Sequence, residues 1–173
     1  FKYYLPSLLA FNHVIVKVKH NNETYYVDAT MRNEYGYLEN RSFIYFAHYL
    51  EIKPNQTLQI REPYKFPKFC IDEKVRVAAK GSEGYLESQS IYRYNRANNM
   101  RRYFKNTNKR EIIDSWNSFF YYALNYSADR PEMDLREIFK DTSIEIVSDD
   151  KKLNELTIKY IARIENPHFK DIV

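Results

Sequence analysis

The pair Asn21-Asn22 interrupts two runs of β-branched and aromatic residues, Val14-Ile15-Val16-Lys17-Val18 before it and Tyr25-Tyr26-Val27 after it. Asparagine tolerates the left-handed backbone of a tight two-residue turn, so the pattern predicts a β-hairpin. Centring the turn there sets the register. Lys19 lies opposite Thr24, Val18 opposite Tyr25, Val16 opposite Val27 and Val14 opposite Ala29. The last three pairs are apolar or aromatic and predict the buried face. The other face carries Lys17 with Tyr26, Ile15 with Asp28 and His13 with Thr30. A slip by one residue mixes the two sets, and burial of one face opposes that. In this register His13 and Asp28 are diagonal neighbours on one face, about 7–8 Å apart at the backbone, a span that a carboxylate and an imidazole can close.

Two readings of this pair stay open. In one, His13 ends a strand and Asp28 forms a turn before Ala29-Thr30. In the other, Asp28 holds one ring nitrogen of His13 and fixes its tautomer, leaving the second nitrogen to act on a nucleophile. The stretch Phe11-Asn12-His13-Val14, a short hairpin, and Tyr25-Tyr26-Val27-Asp28-Ala29-Thr30 resembles the second half of a bacterial transglutaminase-like domain, in the papain-like superfamily. Leu5-Pro6 and Phe11 resemble its lead-in. The likeness covers roughly residues 5–60. It implies that His13 is the base, that Asp28 is its orienting carboxylate and that Thr30 ends the Asp-x-Thr signature. Ala29 stands where that family more often has proline. It also implies a cysteine nucleophile N-terminal to the histidine, but none of the twelve residues before His13 is cysteine, and the sequence opens on Phe1. The expectation is therefore a fragment cut within the domain, without its nucleophile and inactive alone. The resemblance further implies a bacterial protein with a protein or peptide substrate, and it leaves the compartment open, extracytoplasmic included.

Length and composition bound the rest. The chain has 173 residues, 44% of them apolar, which suits one or two small domains with a core. Seventeen tyrosines and eleven phenylalanines favour a pleated, β-rich packing. The net charge of +4 is spread over interspersed acids and bases and does not indicate a nucleic-acid protein. The densest basic cluster, Arg93, Arg96, Arg101, Arg102, Lys105, Lys109 and Arg110, is interleaved with Tyr92, Tyr94, Tyr103 and Phe104. It reads as the solvated side of a helix whose aromatics turn inward. Cys70 is the single cysteine, which excludes an internal disulfide. It follows both His13 and Asp28 and sits in Phe66-Pro67-Lys68-Phe69-Cys70, an approach to a strand, not a helix start that would activate a thiol. It reads as structural. His48, inside the aromatic run Phe43 to Leu50, reads as a packed or partly exposed residue and not as a site. The four histidines are too scattered for a metal cluster, no glycine-rich phosphate loop occurs, and no cofactor is implied. No apolar run is long enough to span a membrane.

Further along, the run Phe43 to Ile52 is expected to complete the first sheet, with Thr57 to Arg61 as its last strand. Two prolines in Pro63-Tyr64-Lys65-Phe66-Pro67 mark a connector and a domain boundary. Lys74–Lys80 and Tyr85–Tyr94 predict a second hairpin, its return strand half-exposed. Arg96–Asn106 predicts a weak helix. A stronger one begins at Thr107 or Asn108, with Ile112, Ile113, Trp116, Phe119, Phe120, Ala123 and Leu124 as its apolar stripe. It should fray near Asn125 to Asp129, before Pro131. Ser143 to Val147 predicts a short strand and Asp149 to Lys152 a charged turn. Leu156, Ile158, Tyr160, Ala162 and Ile164 alternate with polar residues and predict a long strand with one buried face.

The sequence thus predicts a β-rich α+β protein. Residues 1–62 form the C-terminal portion of a transglutaminase-like antiparallel sheet. Residues 63–173 form a β-sandwich-like domain with one or two helices, inserted near 96–128. Three functions are carried forward. The first is a piece of a thiol-dependent acyl-transfer enzyme, with His13 and Asp28 as the site. The second is a non-catalytic module that binds protein or glycan. The third, nucleic-acid binding through the basic cluster, is the weakest. A truncated domain also leaves surface uncovered, so residues 1–60 are expected to self-associate or to pack on the second domain in a non-parental way.

Overall fold

The computed structural model describes residues 13–42, 44–61, 70–80, 83–124 and 134–165. Strands β1 (Val16–His20) and β2 (Glu23–Val27) form the first hairpin, in the predicted register, with Val16 opposite Val27 and Lys17 opposite Tyr26. Asn21 and Asn22 both take positive φ, 48° and 62°, the two left-handed residues that a type I′ turn needs. Neither face of the hairpin is wholly buried: on the face expected to pack, Val18, Tyr25 and Val27 are half-buried. Val14 and Val16 are 67% and 50% exposed, whereas Tyr26 is covered by Phe46 and Tyr49 at ring-centroid distances of 5.0 and 6.0 Å. Alternation of apolar residues marks one face; the aromatic segment that folds across Tyr26 covers part of the other as well.

That segment does not extend the hairpin into a larger sheet. Among the described residues strands β3 (His48–Tyr49) and β4 (Gln59–Ile60) pair only with each other, so the runs 44–52 and 57–61 supply two residues of strand each. Arg61 closes the unit. Its guanidinium lies 4.4 Å from the ring centroids of both Tyr26 and Phe46, and it donates to the Ile44 carbonyl at 2.5 Å.

The larger unit is a four-stranded antiparallel sheet in the order β5-β6-β8-β7, from β5 (Ile71–Lys80), β6 (Glu83–Arg93), β7 (Phe139–Asp150) and β8 (Glu155–Glu165). Between the two hairpins the chain forms α1 (Tyr94–Asn106), α2 (Lys109–Ala123) and the single turn α3 (Leu135–Ile138). Among the described residues these helices, in place of a second sheet, supply the layer over one sheet face. The β-rich α+β class holds. The connector at 63–67, the helix end at 125–129 with Pro131, and the tail after Glu165 lie outside the described residues.

The core sits between helices and sheet. On β8 the predicted alternation is fully expressed: Leu156, Ile158, Tyr160, Ala162 and Ile164 are buried. β6 is a central strand, since β8 pairs along its whole length, and it is half-exposed as expected: Leu86, Ser88 and Ser90 are buried, while Glu83, Tyr85 and Gln89 are exposed on the other face. The stripe of α2 is turned slightly from expectation: Ile113, Trp116 and Leu124 pack against the core as predicted. Ile112, Asn117, Phe120 and Tyr121 are buried, while Phe119 is 54% exposed and Ala123 is exposed. A buried Asn117 explains the rotation, since it accepts a 2.6 Å hydrogen bond from the Tyr160 hydroxyl at the base of the core. Asn108 caps α2 by accepting from the Glu111 N–H at 2.9 Å. β7 is longer than predicted, so Asp149 and Asp150 end the strand and the turn falls at 151–154. Asp150 organises that turn, its carboxylate accepting from the Lys152 and Leu153 N–H groups.

The two units meet at one polar hub. Arg101, on α1, has a side chain only 10% exposed. Its Nε donates to Asp149, one terminal nitrogen to Asn98 and Asn154, and the other to the Asp150 and Glu155 carbonyls. All five N–H donors of the guanidinium are thereby used. Asn98 and Asn154 continue the network into the segment 34–42: Asn98 donates to Glu34 and Ser42, and Asn154 donates to the Asn40 carbonyl. The Gly36 and Tyr37 N–H groups donate to the Lys151 and Lys152 carbonyls. Position 36 requires glycine, since its φ is +98° and a Cβ there would come within 2.7 Å of the Asn40 carbonyl oxygen.

Candidate functional site

The hairpin carries Asp28 just past the last rung of β2 and His13 three residues before β1 begins. The outer rungs predicted for Val14–Ala29 and His13–Thr30 do not form. Asp28 explains this, for its carboxylate turns back onto its own chain. Oδ1 accepts from the Thr30 N–H at 2.8 Å and from the Thr30 hydroxyl at 2.7 Å, and the Asp28 carbonyl accepts from the Met31 N–H at 3.3 Å. This Asx turn bends the strand away from its partner. Oδ2 is left for His13, whose Nε2 lies 2.5 Å from it. The structure therefore brings His13 and Asp28 together, with Thr30 as a third member.

The environments of the two side chains differ. The Asp28 side chain is 9% exposed and that of His13 is 44% exposed. Loss of water around Asp28 pushes its carboxyl upward. The Thr30 hydroxyl, the Thr30 N–H and His13 together outweigh that effect and hold the carboxyl below the ordinary aspartate value. A carboxylate that stays ionised and accepts three contacts is a fixed orienter for an imidazole. Nδ1 of the same ring carries no hydrogen bond among the described residues, and the ring it belongs to is the more exposed member of the pair. The arrangement is chemically able to accept a proton at Nδ1 while Asp28 stabilises the imidazolium through Nε2.

Beside the dyad, on the same hairpin face, runs a second charged row that the sequence alone did not reveal. Lys17 donates to Glu51 at 2.7 Å and to the Tyr49 hydroxyl at 3.3 Å, and Lys53 donates to the other Glu51 oxygen at 3.0 Å. The two lysines hold the Glu51 carboxyl down at about 2, and Glu51 with Tyr49 holds the Lys17 ammonium above its usual range. Its only sequence signal is Lys17 facing Tyr26, with a lone Glu51 after the aromatic run.

Other sequence candidates fall elsewhere. His48 lies in β3 and is exposed. Cys70 precedes β5, where its carbonyl accepts from the Arg93 N–H at 2.8 Å; that is the larger sheet, not the hairpin holding His13. The basic cluster is not one surface. Arg101 is turned into the hub and Arg93 pairs with Glu155 at 2.9 Å, while Tyr103 and Phe104 pack on Trp116. Among the described residues no group of three His, Cys, Asp or Glu side chains is placed to hold a metal ion, and no helix is long and apolar enough to cross a membrane. A depression of about 420 Å³ opens on the sheet face away from the helices, lined by Ala78, Glu83, Gly84, Tyr85, Asp141, Ile161 and Arg163. It includes neither member of the dyad.

No protein-family model, no curated protein and no solved structure matches the chain.

Proposed function

We propose that His13 and Asp28 are the base and the orienting carboxylate of a cysteine-dependent acyl-transfer site of the transglutaminase-like kind, with a peptide or amide substrate. The observation that supports this reading is the 2.5 Å contact between His13 Nε2 and Asp28 Oδ2, with the second carboxylate oxygen anchored by Thr30. In this reading the thiol comes from residues of a longer protein, N-terminal to His13. Its proton passes to His13 Nδ1 and the thiolate adds to the amide carbonyl. The imidazolium returns the proton to the departing amine, leaving a thioester that water or a second amine cleaves. Asp28 keeps the ring in one tautomer throughout. The present chain lacks that thiol and is inactive alone.

The test uses the longer gene product, assayed for amide hydrolysis alongside the isolated chain. The expected result is turnover by the longer protein only, abolished by alkylating its thiol and reduced on the order of 10⁴-fold by Asp28→Asn, as when an orienting carboxylate is removed from a comparable triad. No cysteine upstream of His13, or turnover indifferent to His13→Ala, sinks the proposal.

A second reading is a non-catalytic module that binds protein or glycan. The depression beside Tyr85, a residue 43% exposed among Glu83, Asp141 and Arg163, favours it. Aromatic stacking flanked by polar groups suits a sugar ring. Glycan binding lost on Tyr85→Ala, in a longer protein without amidase activity, selects this reading over the first.

A further inference from the structure

The outer edge of β5 has properties that neither reading uses. The Arg93 N–H to Cys70 carbonyl bond fixes the alternation along the β5–β6 ladder. Residues 72, 74, 76, 78 and 80 direct their backbone groups at β6. Residues 71, 73, 75, 77 and 79 direct theirs outward, where among the described residues no strand pairs with them. The two edges of the sheet differ. β7 is broken by two register shifts, between Lys140 and Ser143 and between Ile146 and Ser148, and such bulges blunt an edge. β5 holds one uninterrupted register over ten pairs. It also exposes Ile71, Val75 and Val77 by 41%, 44% and 38% on one face.

The charge order along this edge narrows the partner. Asp72 and Glu73 come first, then Lys74 and Arg76. Such a strand is complementary to itself when run antiparallel, because each acidic end meets a basic end. A two-fold axis at Lys74 sets Asp72 opposite Arg76 of the second copy, and Ile71 opposite Val77 of the second copy, each twice. On the sheet face away from the helices, Arg76 already stands opposite Glu87 of β6, so the row across the joined sheet reads acid, base, acid. Lys74 meets its own copy at the axis, diagonal to Asp72 of the second copy on one side and to Arg76 of the second copy on the other. A generic peptide has no reason to match this order, whereas an identical strand always does.

We infer that β5 is a homodimerisation edge: two copies of the chain pair antiparallel through residues 71–77 and join their four-stranded sheets into one of eight strands. The surface differs from the 1–60 region from which sequence reasoning expects self-association, and the inference is independent of the dyad.

Sedimentation velocity on the chain across a wide concentration range tests it. The expected result is a monomer–dimer equilibrium. Asp72→Arg sets two arginines against each other twice and gives monomer, and Asp72→Arg with Arg76→Asp restores the dimer. Val75→Pro removes an outward N–H and none of the bonds to β6, so it gives monomer with an unchanged circular-dichroism spectrum. Wild-type chain that stays monomeric, a dimer indifferent to both Asp72→Arg and Val75→Pro, or open-ended growth of larger species (β5 on a neighbour's β7) each overturns the inference.

Discussion

At the residue scale the dyad is held by a hydroxyl as much as by its own two members. Thr30 supplies two of the three contacts to Asp28, so Thr30→Val should raise the titration midpoint of the Asp28 carboxyl toward that of ordinary aspartate, read by carbon NMR of the side chain. The sign for stability follows from the lowered native value. The contribution of Asp28 is complete above the aspartate value of the unfolded chain and is lost as pH falls through the native value. In Thr30→Val the acid-side decline is shallower, which urea melts at successive pH values would show. Burial also raises the Tyr160 hydroxyl well above its ordinary value. Tyr160→Phe strands the buried Asn117 oxygen and should cost about 1–3 kcal/mol in urea denaturation. The dyad was legible from Asn21-Asn22, because a turn sets a register and a register sets who stands diagonal to whom. The turn at Asp28-Thr30 was legible only as a signature, since a side chain that bends its own backbone leaves no periodic trace. Asn98, Asn117 and Asn154 were not legible as core residues. A buried amide looks like a surface one until its partner, 43 residues away for Asn117, is in place.

At the scale of elements, the local rules served wherever one element decides its own geometry. The Asn108 cap, the type I′ turn and the alternation on β8 followed from composition at short range. Asn108→Ala should lower stability by about 1 kcal/mol through loss of the cap, measured as a shift of the urea midpoint at constant slope. Errors arose where a second element chooses the face. Val16 and Tyr26 lie on opposite sides of one hairpin, and the fold of residues 44–61 over Tyr26 half-covers a side that alternation alone leaves open. Phe119 and Asn117 exchange expected places on α2 for the same reason: the Tyr160 hydroxyl sits beneath the helix and demands an acceptor. Hydrophobic periodicity locates a helix well and its rotation less well, because rotation is fixed by the polar exceptions in the core.

At the scale of the molecule, Arg101 holds in place the asparagines Asn98 and Asn154 that, with the Gly36 and Tyr37 amides, join the segment 34–42 to the larger sheet. Arg101→Met leaves Asn98, Asn154 and two carbonyls without their donor, and it should cost about 3 kcal/mol or more. Arg101→Lys should not rescue it, because an ammonium cannot serve five acceptors spread in one plane. Hydrogen exchange at the Gly36 and Tyr37 amides, which donate to the 151–154 turn, should accelerate in both variants while β8 stays protected. The join was hidden in the sequence because its members stand far apart: Asn154 reaches Asn40 across 114 positions. That separation acquires a meaning in time. A ribosome delivers Gly36 and Asn40 first and, at about 5–20 residues per second, needs roughly 6–23 s more to supply the asparagine that completes their bonds. During that wait the early segment has water as its substitute partner. The seam between the two units therefore closes late in synthesis, after the nascent hairpin has already folded across its own turn.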